Sequence, residues 1–406
     1  MRSRAFVSLY IAVFVATMGI SMVSPLLPVY ARDLGASGVW LGLTFSVFAI
    51  VQAIFGPFAG KLSDRFGRKP FIVTGLLIYL VAALGYLTAH NFYQVIAFRA
   101  FSGLGTSLIF SVARAYVGDL TPRGHEGRWF GVFATADIIG FGTGPLLAGL
   151  LRQEVGFRAV FVAMAALMAA SALIVMVSLP WHGRAGRPSA AIPEPTPSAG
   201  FKAALRNRLV LALTVHQGIM SLSFGASFSF LALRLEGDLH TAPIFIGLAF
   251  ATQDITGGLA QPIFGRLADR HNRRLLVALG LLGNALFLVT LGFVNLYLLA
   301  VLSLMAMGAT GAISGVAASA MQVVAGRRVG MGTVLGLGSA SNGIGIVVGS
   351  VVGGLLIDQF ALYAAFVFGG AMMAGGVAVF WWLTRGVPTS EPVEFSLIEG
   401  AAVAGV

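Results

Sequence analysis

Three ionisable side chains stand in stretches that otherwise hold almost no charge. Asp137 lies within an apolar run near 127–151 and Asp254 within one near 244–265, each about ten residues in, and Arg99 lies early in a run near 94–117. A charge inside a membrane span costs at least ~2.5 kcal/mol unless it is paired or faces water, so each is a functional candidate by default. The chemistry open to two such acids is proton exchange, taken up on one side of a membrane and released on the other. The alternatives are structural: a permanently paired carboxyl in each case, and for Arg99 a side chain that snorkels to the nearer surface.

Spacing adds to the case for Asp137. Gly140, Gly144 and Ala148 follow it at three, seven and eleven residues, which puts the carboxyl on one helical stripe with a seam of small residues suited to close helix packing. Pro145 and Gly149 interrupt the same run. In the run near 333–357 the counterpart is Gly345, Gly349, Ser350, Gly353 and Gly354, with Asn342 where Asp137 stood, an amide that keeps polarity without a titrating proton. His216 and Gln217 are further candidates for a substrate cavity, although a lone histidine on an apolar helix more often packs as a hydrogen-bonded core residue. Other chemistries find no support. The six histidines are scattered without metal-ligand spacing and cysteine is absent, so no metal site and no cofactor is expected. A phosphate-binding loop of the form G-x-x-x-x-G-K-[ST] is also missing, which argues against an ATPase, and no enzyme activity is expected.

These residues need elements long enough to hold them at depth. At 57% hydrophobic and 10% charged residues with a mean hydropathy of +0.90, the chain is too apolar for a water-facing surface and reads as an integral membrane protein. Apolar runs of about 20 residues place twelve helical spans near 6–31, 39–60, 70–89, 94–117, 127–151, 157–179, 209–233, 244–265, 275–294, 297–320, 333–357 and 361–384. Of the 26 Lys and Arg, Arg32, Arg152, Arg158 and Arg234 fall on one side, Arg99 and Arg114 within span four, and the rest on the other side. That asymmetry sets the basic side, with both termini, in the cytoplasm. The net charge of +11 is then explained by an anionic inner leaflet, with no nucleic-acid partner.

The chain repeats itself. Gly60 to Lys69, a polar turn between spans two and three, returns as Gly265 to Arg274. The same offset relates Asp33 to Asp238, Gly42 to Gly247, Phe45 to Phe250, Pro57 to Pro262, Gly103 to Gly308 and Gly144 to Gly349 without a gap. Two copies of one unit, in an apolar chain, point to two bundles with a substrate site between them. The expected organisation is a first six-helix bundle over 1–179, a flexible proline-rich cytoplasmic linker over 180–207, a second bundle over 208–385 and a disordered cytoplasmic tail over 386–406.

The loop from Gly60 to Lys69, with Asp64-Arg65 followed by Gly67-Arg68-Lys69, resembles the loop between spans two and three of the major facilitator superfamily. Three further runs resemble motifs of its twelve-span drug:proton antiporter branch. They are Gly19, Pro25 and Pro28 in span one, Arg99-x-x-x-Gly103-x-Gly105 in span four, and Gly140-x-x-x-Gly144-Pro145-x-x-Ala148-Gly149 in span five. The resemblance covers about residues 1–385. It implies an all-α fold of twelve transmembrane helices in two pseudo-symmetric bundles, with spans five and eight facing each other. It also implies a loop that latches the halves on the cytoplasmic side. Within the loop Asp64 could pair with Arg68 or sit at a helix start, and Asp119 and Arg327 or Arg328 are candidate partners of the loop. Arg99 takes the role the family associates with proton transfer. Three departures stand out: Ala148 replaces a glycine, the second loop has Asn272 where Gly67 stood, and span one lacks the acid that several relatives carry.

The function expected from the resemblance is proton-coupled efflux of amphipathic or hydrophobic small molecules by alternating access, in a bacterial inner membrane and as a monomer. The partners expected are protons, membrane lipids and the amphipathic or lipid-like substrate. A lipid or glycolipid flippase, a sugar or metabolite exporter, or a non-transporting membrane receptor stay open on the same scaffold.

Overall fold

The computed structural model describes residues 2–122, 125–180 and 204–387, with the side chains of residues 2, 3, 126–128, 269, 327 and 328 outside that description. Most of the expected linker and tail, and the side chains of Arg327 and Arg328, thus lie outside the described residues. Among these residues the chain is helical throughout. Span one is a broken helix, Arg2–Val23 and Leu27–Asp33. The eleven others are Gly38–Phe66, Arg68–Leu87, Phe92–Leu120, Glu126–Glu154, Phe157–Ser178, Arg208–Leu233, Pro243–Arg270, Arg273–Phe293, Tyr297–Val329, Met331–Gln359 and Leu362–Thr384.

Local sequence accounts for most of the boundaries. Pro25 and Pro28 remove two backbone donors within four residues, so span one breaks into a turn at Ser24–Leu26 and restarts with Pro28 in the first turn of the new helix. Asn91, Asn207 and Asn272 cap their helices, each side chain accepting a backbone N–H of the first turn. Gly67 links spans two and three at φ +94°, a conformation open to glycine at little cost. At its counterpart Asn272 the backbone has φ −63° and the side chain caps Arg274 N–H, so the second loop makes its turn by capping instead.

Eleven of the twelve spans are long and apolar enough to cross a membrane. Span eight, Pro243–Arg270, falls short because Gln253, Asp254 and Gln261 interrupt it.

The two halves pack alike. Span one lies on five and six as seven lies on eleven and twelve; two lies on four as eight lies on ten; three lies on four and six as nine lies on ten and twelve. Helix starts repeat at the sequence offset, Gly38 with Pro243, Arg68 with Arg273, Phe92 with Tyr297, and Phe157 with Leu362. The halves meet through span two on eleven and span five on eight.

Those contacts belong to one end. A Cβ on Gly42 would run into the backbone of Ser350, one on Gly354 into Gly38, one on Gly149 into Pro243 and one on Gly247 into Pro145. Toward the end that carries the Gly67 and His271 turns, Gly60, Gly131, Gly332 and Gly338 have nothing within 4 Å of a Cβ. The molecule is closed at the end with few basic residues and open at the basic one.

Candidate functional site

A cavity of about 800 Å³ lies at the junction of the halves. That is a size suited to one drug-like ligand. Span five contributes Asp137, Ile138 and Phe141; span eight contributes Gln253, Asp254, Gly257, Gly258 and Gln261. The remaining wall comes from spans seven, nine, ten and twelve and is largely apolar.

The two acids expected from sequence therefore share one space, and they are the charged residues of its lining. Asp137 is half-buried and accepts a hydrogen bond from Thr17 Oγ1 of span one at 3.0 Å. The seam below it packs as its spacing suggests: a Cβ on Gly140 would meet Thr17 and Met18, and one on Gly144 would meet Ser21 and Met18. Pro145 leaves the carbonyl of Phe141 without its helical donor, which loosens the helix where it borders the cavity. Asp254 is exposed into the cavity, and no described residue gives it a hydrogen bond or an ion pair.

Arg99 does not join them. Its side chain is 1% exposed, so it does not snorkel. The guanidinium sits over the ring of Phe48 at 4.1 Å and near that of Phe45 at 5.5 Å, and Nη2 reaches Ser24 Oγ at 3.4 Å. Nε, Nη1 and the hydroxyls of Tyr79 and Tyr86 are buried without a partner. Ring faces thus hold much of the charge. One further ring connects it to the cavity, since Phe45 lies edge-on to Phe228, a lining residue, at 5.4 Å.

The residues of the polar loop converge on Arg68. Its Nη2 contacts Asp64 Oδ1 at 2.5 Å, its Nε donates to Asp119 Oδ2 at 2.9 Å and its Nη1 donates to Ser63 Oγ at 2.7 Å. Both partners named from the sequence, Asp64 and Asp119, bind the same arginine and tie spans two, three and four. These bonds stay within the first half. Arg65 is exposed, and Gly60 faces open space.

His216, Gln217 and Asn342 lie outside the cavity lining. His216 is buried, with Nε2 at 2.7 Å from Ser314 Oγ. Gln217 and Asn342 both donate to Ser221 Oγ, at 3.4 and 2.7 Å, in a small network between spans seven and eleven.

Sequence reasoning missed the fasteners of the closed end. Arg152 grips Glu236 across the halves in a bidentate pair at 2.5 and 2.8 Å. Asp358 of span eleven accepts the N–H groups of Gly38 and Val39 at 2.7 and 3.0 Å, so its carboxylate sits on the positive start of span two. Acids at span ends on the side with few basic residues were the signal available.

The family model described as Major Facilitator Superfamily matches residues 9–233 and 213–400, and the chain belongs to that superfamily of transporters. It is 26% identical to the multidrug resistance protein MdtG of Serratia proteamaculans, covering 94% of this chain and 93% of the relative. It is 27% identical to the quinolone resistance protein NorA of Staphylococcus aureus, covering 93% and 96%. Among solved structures, a bacterial homolog to the human lysosomal transporter Spinster, in an inward-facing and occupied conformation, superposes with a TM-score of 0.81 at 16% identity over 95% and 97% of the two chains. The nucleoside transporter NupG gives 0.78 at 13% over 94% and 99%. Those two likenesses establish the fold.

Proposed function

We propose that this transporter exports amphipathic or hydrophobic small molecules in exchange for protons, by alternating access of its two halves, from the cytoplasm across a bacterial inner membrane. The observation that carries the reading is the cavity between the halves, apolar over most of its wall and charged only by Asp137 and Asp254. The resistance proteins MdtG and NorA, alike over nearly the whole chain, support efflux as the direction. The asymmetry of Lys and Arg supports a cytoplasmic basic end, and on that assignment the conformation described above is open to the cytoplasm.

In the proposed cycle a proton from outside neutralises one acid, substrate leaves outward, and the proton is released inward after the halves rock. Coupling requires that proton and substrate favour different conformations. Arg99 takes part through Phe45 and Phe228, and the Asp64, Arg65, Gly67, Arg68 and Asp119 cluster governs closure of the cytoplasmic end.

The test is proton-coupled flux in proteoliposomes under an imposed pH gradient, with tetraphenylphosphonium and a fluorescent lipid as alternative cargoes, for wild type, Asp137→Asn and Asp254→Asn. The expected result is cation movement against its own gradient, abolished by at least one substitution. Movement of lipid alone, or cation flux indifferent to both pH and the two carboxyls, would overturn the proposal in favour of a flippase or a facilitator.

A further inference from the structure

The wall of the cavity is uneven. Span five alone lines it from the first half, whereas in the second half span ten lines it along one face, through Gly308, Gly311, Ala312, Gly315 and Ser319. The repeat offset carries Gly315 and Ser319 onto Phe110 and Arg114 of span four. Where the second half has a bare backbone and a small hydroxyl, the first half therefore has a ring and a guanidinium.

Arg114 stands six residues before Leu120, the last residue of span four, and its side chain is exposed. No described residue gives it a hydrogen bond or an ion pair. Snorkelling to the cytoplasm would account for an exposed arginine at this depth, but its surroundings give it a partner. The acid on its own helix, Asp119, is already taken by Arg68. Gly118, one turn on, faces Phe130, so this end of span four leans toward span five. Of the two acids in the cavity, Asp137 of span five lies close enough for the charge of Arg114 to act on it.

The described groups around Asp137 include no other cation. Span one brings the hydroxyl of Thr17 to its level, and Tyr10 of that span is bonded to Thr135 instead. Span eight sets Asp254, a like charge, in the same cavity. Arg158, the basic residue of span six, lies at the closed end of its helix. A nearby opposite charge favours the ionised form of a carboxyl and a like charge disfavours it, and arginine keeps its charge throughout the working pH range.

We propose that Arg114 is the counter-charge of Asp137: while the basic end is open, its long side chain settles on the carboxylate left when the O–H bond breaks and the proton departs to cytoplasmic water, and so favours release there. Arg114 acts through Asp137 and is a positioning residue of the exchange. The assignment rests on the antiport reading for its place in the cycle, and it gives the inward release step to Asp137 rather than Asp254.

The test needs no transport. Infrared difference spectra of the protein in nanodiscs, taken over a pH series at low salt, follow the band of the protonated carboxyl. An Asp254→Asn background removes the other acid of the cavity, and the band that Asp137→Asn then removes belongs to Asp137. In that background Arg114→Gln should carry the midpoint of this band to a pH higher by roughly 0.5–1, a modest displacement because the charge acts across exposed, screened space. Arg114→Lys should return it most of the way. Because the side chain is exposed, neither variant opens a hole in the core.

Equal midpoints with Arg114 and with Arg114→Gln would overturn the assignment. So would equal displacement by Lys and Gln, or the absence of any band that Asp137→Asn removes. Tetraphenylphosphonium flux of the wild type, measured in parallel, separates the two proposals: pH-driven flux with an unmoved midpoint sinks the role of Arg114 alone, and a moved midpoint without such flux sinks the antiport reading alone.

Discussion

At the scale of single residues, Arg99 poses the sharpest question. A guanidinium held by two ring faces and one long hydroxyl contact, with the hydroxyls of Tyr79 and Tyr86 close by but no well-formed hydrogen bond at Nε or Nη1, is a charge taken out of water with incomplete compensation. Replacing buried ionic groups by apolar ones of similar size is often neutral or stabilising, by up to ~4 kcal/mol. Arg99→Leu installs the residue that the repeat places at 304, and it should melt at or above the wild-type temperature. If the charge is kept for function, coupled flux should nonetheless fall, since an ionisable residue held within the membrane at a cost is a functional one by default. Thermal unfolding together with proteoliposome flux checks this, and a lower melting temperature with unchanged flux would show a merely structural arginine. The positions of Asp137 and Asp254 were legible because apolar sequence makes a charge conspicuous. The partners of Arg99 were not, because Phe45 and Phe48 look like any lipid-facing or packing phenylalanine until helix two is set against helix four.

At the scale of elements, helix starts were legible to within a few residues, but spans two, eight and ten run on to Phe66, Arg270 and Val329 rather than stopping near 60, 265 and 320, because a helix continues through polar and basic residues after its apolar run ends. The apolar run of span one reads as a single helix near 6–31. Two prolines three residues apart divide it instead, and periodicity alone cannot distinguish a bend from a break. Contacts between elements of different halves were the least legible, since Arg152 with Glu236 and Asp358 with the start of span two each join residues far apart in the chain.

These fasteners yield a prediction about conformation. The Arg152 and Glu236 side chains are 10% and 25% exposed, so solvent screens the pair only in part. Losing one partner should disfavour the closed end by about 1–2 kcal/mol, below the cost of breaking a fully buried pair. Asp358→Asn removes a carboxylate from a helix start, an effect of about 1 kcal/mol. Glu236→Gln and Asp358→Asn should each shift the population toward opening at that end, roughly 5- to 30-fold for 1–2 kcal/mol. Because the chain has no cysteine, spin labels at His90→Cys and His240→Cys, both exposed at the closed end on opposite halves, report the separation directly. An unchanged distance distribution in both variants would mean that the helix seams alone hold the end shut.

At the scale of the whole molecule, the two-bundle architecture was legible before any coordinates, since one offset of the repeat makes the halves equivalent, whereas which helix packs on which came only with the structure. The conformation was not legible either, because both ends of spans two, five, eight and eleven carry the small residues that close contact needs. Only the structure separates the glycines that are pressed against the other half from those that face open space. That separation is itself predictive. If the halves rock, the basic ends must come together when the opposite ends part, and Gly338 and Gly60, free now, must meet a neighbour then. A Cβ at either position meets nothing within 4 Å in the present state, so Gly338→Trp and Gly60→Trp should fold with little loss of melting temperature. Each should block the reverse state sterically and abolish transport, with label distances fixed at the basic-end-open value. Gly42→Val should act in the opposite sense, since its side chain has no room beside Ser350 unless the closed end parts. A ligand or substitution shifts a two-state equilibrium only by its differential effect on the two states, and overpacking a tight contact costs typically ~1–3 kcal/mol, enough to invert a balanced population. Wild-type flux in Gly338→Trp and Gly60→Trp would mean that the basic ends never close at these positions, and alternating access would then need a different pair of surfaces.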